Sequence, residues 1–336
     1  MAAPTVLRDD EHIDVDDDQI LSDVDSAIGN DAESYTTSLK SSVLAFKYEN
    51  GRRYHADRTS AGTVYWAPND EAELQRLDMH HHIIRLRLGK TLHLAPLADP
   101  QRILDIGTGT GIWAIEMGDL YPSAQILGND LSPVQPSSVP PNVSFEVDDI
   151  ESDWAYNAPF DYIHSRSMAG SLKDWPRLMR QAFQHTKPGG WVEFQDFEMH
   201  WYTQQGEFKP GCLLDKWCQE AIEAFQRAGL EPEPGPKLKQ WVEDAGFVNI
   251  HHELLPIPIG PWPKDKALKE IGTFDIVQFL ENMEGLSMRI FTTLANYTPE
   301  EVLALCAKLR EELRNPRLQA MHDLHVVYAQ KPLSVV

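Results

Sequence analysis

The chain has 336 residues, is 42% hydrophobic and 9% aromatic, and carries a formal net charge of -21. That length fits one large domain or two small ones and allows a substantial buried core. The acidity weighs against DNA or RNA as a partner, because holding a phosphate backbone requires a basic face.

The charge is unevenly spread. Residues 1–34 hold eleven Asp and Glu against the single Arg8, which predicts a disordered acidic tail over 1–39. Cys212, Cys218 and Cys306 show no paired spacing, which suits a reducing compartment. The N-terminus lacks the basic-then-apolar layout of a leader, and no run approaches the ~20 apolar residues of a membrane span. A cytoplasmic protein without a membrane partner is expected.

In chain order, residues 40–100 are read as a helical cap. Its helix starts at Asn69 or Asp70 and continues to about residue 94 through Leu74, Leu77, Ile84, Leu88 and Leu92. Strands and helices then alternate, as a parallel sheet with crossover helices requires. Strands are predicted at 102–106, 125–130, 143–148, 160–165 and 190–196, with helices at 111–120 and 174–186. Helices at 212–228 and 236–245 follow. A sixth strand starts at Phe247 and a seventh covers Leu324–Tyr328, with helices at 265–283 and 299–314 between them. The predicted fold is a Rossmann-like seven-stranded α/β sheet within a single domain, 40–336. Its ligand-binding core spans 101–200, and a helical lid comes from the N-terminal segment and an insertion over 256–321.

The most informative stretch is Arg102-Ile-Leu-Asp105-Ile-Gly107-Thr108-Gly109-Thr-Gly111-Ile-Trp113. A short strand runs into a glycine-rich turn and then a helix, whose free N–H groups suit a nucleoside-bearing ligand. A dinucleotide fingerprint would need a third glycine at 112, which is Ile112. Glycines at alternate positions behind Asp105 instead predict S-adenosylmethionine (SAM), with S-adenosylhomocysteine (SAH) as product. Asp130, nineteen residues beyond Gly111 and beside Leu131, is expected to bind the ribose hydroxyls. Asp149 is favoured over Asp148 for the adenine amino group, with Ile150 on the ring face; a one-residue slip would exchange the two acids.

Two residues at the end of the fourth strand are the catalytic candidates. His164 has a pKa suited to a general base, and Arg166 can meet the cofactor or an anionic substrate. Methyl transfer from a sulfonium needs alignment more than it needs a base. Tyr54, Trp201, Trp262, Phe279 and Met283 are candidates to line an apolar acceptor cavity. His80-His81-His82 is not read as a metal site, because successive helical side chains point about 100° apart, and no metal is expected.

Several separated motifs together resemble the LaeA-like methyltransferases of filamentous fungi. They are Glu49-Asn50-Gly51-Arg52, Pro68-Asn69-Asp70-Glu71, the glycine stretch, Asp130-Leu-Ser-Pro-Val-Gln-Pro136, Asp148-Asp149, Phe160-Asp-Tyr-Ile-His164 with Arg166, and Pro188-Gly189-Gly190. The match covers about 40–332. The resemblance implies a class I SAM-binding fold and a role in fungal secondary metabolism, with Gly107, Gly109, Gly111, Asp130 and Asp149 as cofactor contacts. Some members look like tailoring enzymes for a small-molecule acceptor, and others look like regulators in a nuclear complex with velvet proteins. The leading expectation is methyl transfer to an O, N or C nucleophile of a small, largely apolar metabolite. The alternatives are a regulatory subunit, which would place the chain in the nucleus, and a SAM-binding cyclase that transfers no methyl.

Overall fold

The computed structural model describes residues 13–14, 46–55 and 65–333. Except for Ile13 and Asp14, the expected acidic tail lies outside the described residues. Ile13 is buried against Trp262 and Met321, and its carbonyl accepts from the Gln204 side-chain amide at 2.7 Å.

Among the described residues the first regular structure is a β-hairpin, β1 (Lys47–Glu49) and β2 (Arg52–Tyr54), where a helical cap was expected. Asn50 and Gly51 join the strands at φ 49 and 76. Positive φ at both central residues is the geometry an Asn-Gly pair favours in a two-residue hairpin. Helix α1 (Glu71–Arg87) follows, with the Asp70 carboxylate accepting from Glu73 N–H at 3.2 Å. It ends about seven residues earlier than predicted. Gly89 and Lys90 adopt φ 71 and 68, and Lys90 N–H returns to the Arg85 carbonyl at 2.7 Å, which closes the helix.

The central sheet contains β3 (Arg102–Ile106), β4 (Gln125–Asp130), β5 (Val143–Val147), β6 (Phe160–Arg166) and β7 (Thr186–Phe197). Beyond β7 it contains the two-residue β8 (Tyr202–Thr203), β9 (Val248–Pro258) and β10 (Ala320–Gln330). β5, β4, β3, β6 and β7 lie side by side and parallel in that order, and β10 runs antiparallel to β7, β8 and β9. Seven strands were expected, and β8 makes the eighth. Chain direction across the sheet reverses between β3 and β6, so a crevice opens at their carboxyl ends, the usual ligand position in such sheets.

Helices α2 (Ile112–Leu120), α3 (Trp175–His185) and α5 (Leu238–Asp244) cover the sheet. On one face Leu104, Phe160, Trp175 and Leu178 form a buried cluster; on the other, Ile103, Trp113, Ile126 and Tyr162 do. Such strands, apolar on both faces, read as near-continuous hydrophobic runs. A third cluster joins α4 (Leu213–Arg227), α6 (Lys266–Leu294) and α7 (Pro299–Leu313) through Leu214, Trp217, Met283, Phe291 and Leu309. The segment between β9 and β10 is therefore 259–319, narrower than expected, because β9 and β10 are longer than their sequence signals. Helix α6 passes its predicted end at 283 but bends at Asn282 (φ -117, ψ 16). The Asn282 side chain donates to the Gln278 carbonyl at 3.2 Å, the kind of insertion into the helix ladder that makes a kink.

Candidate active site

The glycine loop leaves β3 at the crevice. Gly107, Gly109 and Gly111 have φ 65, 56 and 80, conformations that side chains disfavour. A Cβ at 107 would also lie 2.5 Å from the Met168 sulfur. The loop is tied to β4: Thr108 N–H donates to the Asn129 carbonyl at 2.9 Å, and Gly109 N–H to Asp130 Oδ2 at 2.9 Å. Beneath it, Asp105 accepts from the Thr108 hydroxyl at 2.6 Å and pairs with His164 Nδ1 at 2.8 Å.

A cavity at the carboxyl ends is lined by Gly107, Thr108, Gly109, Asp130, Leu131, Asp148, Asp149, Ile150 and Arg166. Eight of the residues named from sequence thus meet there, and Asp148 meets them too. Asp130 accepts from Gly109 N–H and, through Oδ1, from Ser132 N–H at 2.9 Å. The Leu131 N–H also faces this carboxylate, and with about four lone-pair positions it keeps room for a further donor. Burial pushes the Asp130 pKa up to about 6, and the N–H groups of Ser132, Gly109 and Leu131 hold it back from rising further. Asp148 and Asp149 both line the cavity, so the choice between them stays open.

Three expectations need correction. His164 is fully buried and does not line the cavity; it is stacked on Trp113 at 3.7 Å and held by Asp105. It lies in the buried run Tyr162 to Ser165 of β6, behind the loop and off the cavity wall. Asp105 and Gly111 likewise support the cavity from behind. Gly111 caps α2, where a Cβ would lie 2.4 Å from the Phe145 ring. Finally, none of Tyr54, Trp201, Trp262, Phe279 and Met283 lines a cavity at the crevice. Tyr54 lies beneath the Arg289 guanidinium at 4.4 Å; Trp201, Phe279 and Met283 belong to the helical core; Trp262 packs on Ile13.

A second cavity adjoins the first and shares Tyr65, Ser167 and Ser171 with it. Trp66, Met199, Trp217, Phe225, Leu286 and Ile290 give it an apolar wall. These residues come from four separate stretches of the chain (before α1, after β7, α4 and α6), with no common spacing to reveal them. His80 was also missed. It lines the first cavity, with Nε2 3.1 Å from Ser167 Oγ. Its neighbours point elsewhere: His81 toward Glu116 at 3.2 Å, and His82 toward Phe274 with ring centroids 4.9 Å apart. Arg166 faces the Nδ1 atom of His81 at 2.5 Å. Burial and the charge of Arg166 push the His81 pKa down to about 2, while burial lowers that of Arg166 to about 10. At neutral pH the pair is a neutral imidazole beside a guanidinium cation.

A family model described as a methyltransferase domain matches residues 79–252, more than half of the chain. The chain belongs to that methyltransferase family. Methyltransferase pytC of Aspergillus terreus is 46% identical over 305 residues, covering 90% of this chain and 93% of the relative. The secondary metabolism regulator LAE1 of Cochliobolus heterostrophus is 35% identical over 292 residues, covering 84% and 94%. The protein-methionine methyltransferase laeA of Emericella nidulans is 33% identical over 310 residues, covering 91% and 82%. The LaeA-like resemblance of the motifs therefore holds, with the Rossmann-like fold and SAM as cofactor. The crevice fits that group: a glycine loop held at positive φ, a buried carboxylate with a spare acceptor position, and two further carboxylates beside Ile150. Among the described residues no helix is long and apolar enough to cross a membrane, and no group of His, Cys, Asp and Glu is placed to hold a metal ion.

Proposed function

We propose that this methyltransferase acts on an oxygen, nitrogen or carbon nucleophile of a small, largely apolar secondary metabolite. The observation that carries the reading is the pair of adjoining cavities, one lined by the glycine loop and strand-end carboxylates, the other walled by aromatic and aliphatic side chains, meeting at Tyr65, Ser167 and Ser171. In this reading Gly107, Thr108 and Gly109 pass close to the cofactor, Asp130 accepts from the ribose, and Asp148 or Asp149 accepts from the adenine amino group over Ile150. SAM, when bound, supplies a methyl carbon on a sulfonium, which the acceptor's electron pair takes up as the C–S pair returns to sulfur. The chain's own work is then to align the acceptor and exclude water, which alone can supply a large part of such a rate enhancement. Helices α1, α4 and α6 form the cap that does so, the apolar wall orienting the acceptor.

Incubation with methyl-labelled SAM and extracts of candidate metabolites tests the reading. Label moving to a small apolar compound supports it, and label appearing only in protein contradicts it. The name of the LAE1 relative favours a second reading, a regulator of secondary metabolism; such a regulator would work through protein partners, velvet proteins among them, in the nucleus. Stable co-purification with such a partner, without turnover of any metabolite, would support that reading.

A further inference from the structure

His80 is held by a chain of side chains that fixes which of its nitrogens carries the proton. Arg76 Nη1 lies 3.4 Å from Gln278 Oε1, and a guanidinium only donates, so that end of the amide is its oxygen. The amide nitrogen of Gln278 then faces Asp275 Oδ1 at 2.5 Å and His80 Nδ1 at 3.4 Å. Asp275 is itself anchored by His322 Nε2 at 2.9 Å, and Arg76 by Glu73 at 2.7 Å. An amide nitrogen only donates, so Nδ1 of His80 accepts. In a neutral imidazole the proton is then on Nε2, the atom facing Ser167. The surroundings as a whole favour the neutral ring. Burial, Arg76 on the same helix, Arg166 from β6 and His322 from β10 all push its pKa well below the usual value.

The consequence concerns Ser167. Its Oγ accepts from His80, so its own proton is available to an oxygen in the space where the two cavities meet. Ser167 also holds φ 56, a left-handed conformation that costs a serine about 1 kcal/mol. The strain is held in place by its N–H bond to the Gln195 carbonyl at 2.9 Å. Strain of this kind at a cavity wall points to a positional requirement. No lone pair of His80 faces the cavity, so the ring cannot take a proton there.

We infer that the junction of the cavities is a donor corner in which Ser167, backed by His80, holds the acceptor as an oxyanion, an enolate or phenolate, carried on an apolar ring system. The inference rests on the methyltransferase reading above and narrows its acceptor atom to oxygen. The hydroxyl proton goes to water as the acceptor binds, and the oxygen leaves carrying the methyl group as an ether. Arg166, on the wall of the first cavity, adds positive charge.

The test uses 4-nitrophenol, whose phenolate is coloured, titrated with pH on the full chain with and without SAH. The expected result is bound nitrophenol ionising about one pH unit lower than in water, the scale of hydrogen bonds made to a charged group. His80→Gln, which keeps an N–H near the Nε2 position but cannot act as a base, should retain most of that shift. His80→Leu and Ser167→Ala should lose it while still binding SAH in calorimetry. Should His80→Leu fail to fold, the Gln and Ser167→Ala variants still decide. An unshifted or raised ionisation, no binding of nitrophenol, or a Gln variant as impaired as a Ser167→Ala variant would overturn the inference. Failure of the wild type to bind SAH would instead count against the cofactor assignment, and the titration without SAH would still read the corner.

Discussion

The two cavities are built in opposite ways. The first is made largely by consecutive backbone and by carboxylates that end parallel strands, in short stretches at β3, β4, β5 and β6, with Tyr65 and the α1 residues Leu77 and His80 closing one side. The second is made by side chains from the segment before α1, the loop after β6, the end of β7, and helices α4 and α6. A cofactor common to a family can be held by a local backbone geometry. An acceptor that differs between members is held by replaceable side chains on separately packed helices, and the surrounding core can change with it.

The comparison can be broken at four points. The largest effect is expected at the base of the first cavity. His164→Ala removes a buried ring stacked on Trp113 and leaves Asp105 without its partner, so unfolding should become easier by roughly 3 kcal/mol. Denaturant titration measures it; a near-neutral effect together with an altered pH–rate profile would restore His164 as a base.

Asp130→Ala should weaken SAM binding by roughly 2 kcal/mol, a few tens-fold, the scale of hydrogen bonds to a charged group. The same residue predicts opposite pH dependences for stability and binding. Its folded pKa of about 6 lies above the ordinary 3.8, so its stabilising contribution is full below the ordinary value and is lost as pH rises through about 6. A protonated carboxyl has given up acceptor capacity, so SAM affinity should fall as pH drops through the same range. Calorimetry and thermal melts across that window check both signs.

Filling the second cavity should leave the first intact. Met199→Trp is expected to reduce acceptor affinity at least about tenfold and to leave SAH affinity within about twofold. A matching loss of SAH binding would mean that the two cavities form one site. The smallest effect is at the adenine end: Asp149→Ala should cost about 1 kcal/mol in SAM affinity, and a larger loss with Asp148→Ala would assign the contact to the other acid.

The legibility of the chain follows the same division. Asp105, the three glycines and Asp130 were readable because strand, turn and helix succeed one another within thirty residues. The hairpin was readable as well: Asn50-Gly51 is a strong two-residue turn signal, and the helical expectation for 40–100 overrode it. Helix α1 was drawn past Gly89 because Leu92 continued its apolar period, although glycine in the left-handed conformation is a common helix stop. The acceptor wall was not readable. Trp201 and Met283 have the composition of cavity residues but fill the helical core, while Met199 and Leu286, their near neighbours in sequence, face the cavity. Nothing short of the helix packing separates them. His80 escapes for a related reason: adjacent histidines read as a block hide the fact that each has a separate partner, and of the three it is His80 that faces the crevice.

The most direct test is calorimetric titration of the full chain with SAH, on either side of the Asp130 transition near pH 6. Binding above that pH, weakened below it and weakened at both in Asp130→Ala, is the predicted result. Absence of binding above it, or affinity indifferent to both pH and the substitution, would contradict the assignment of the crevice to the cofactor.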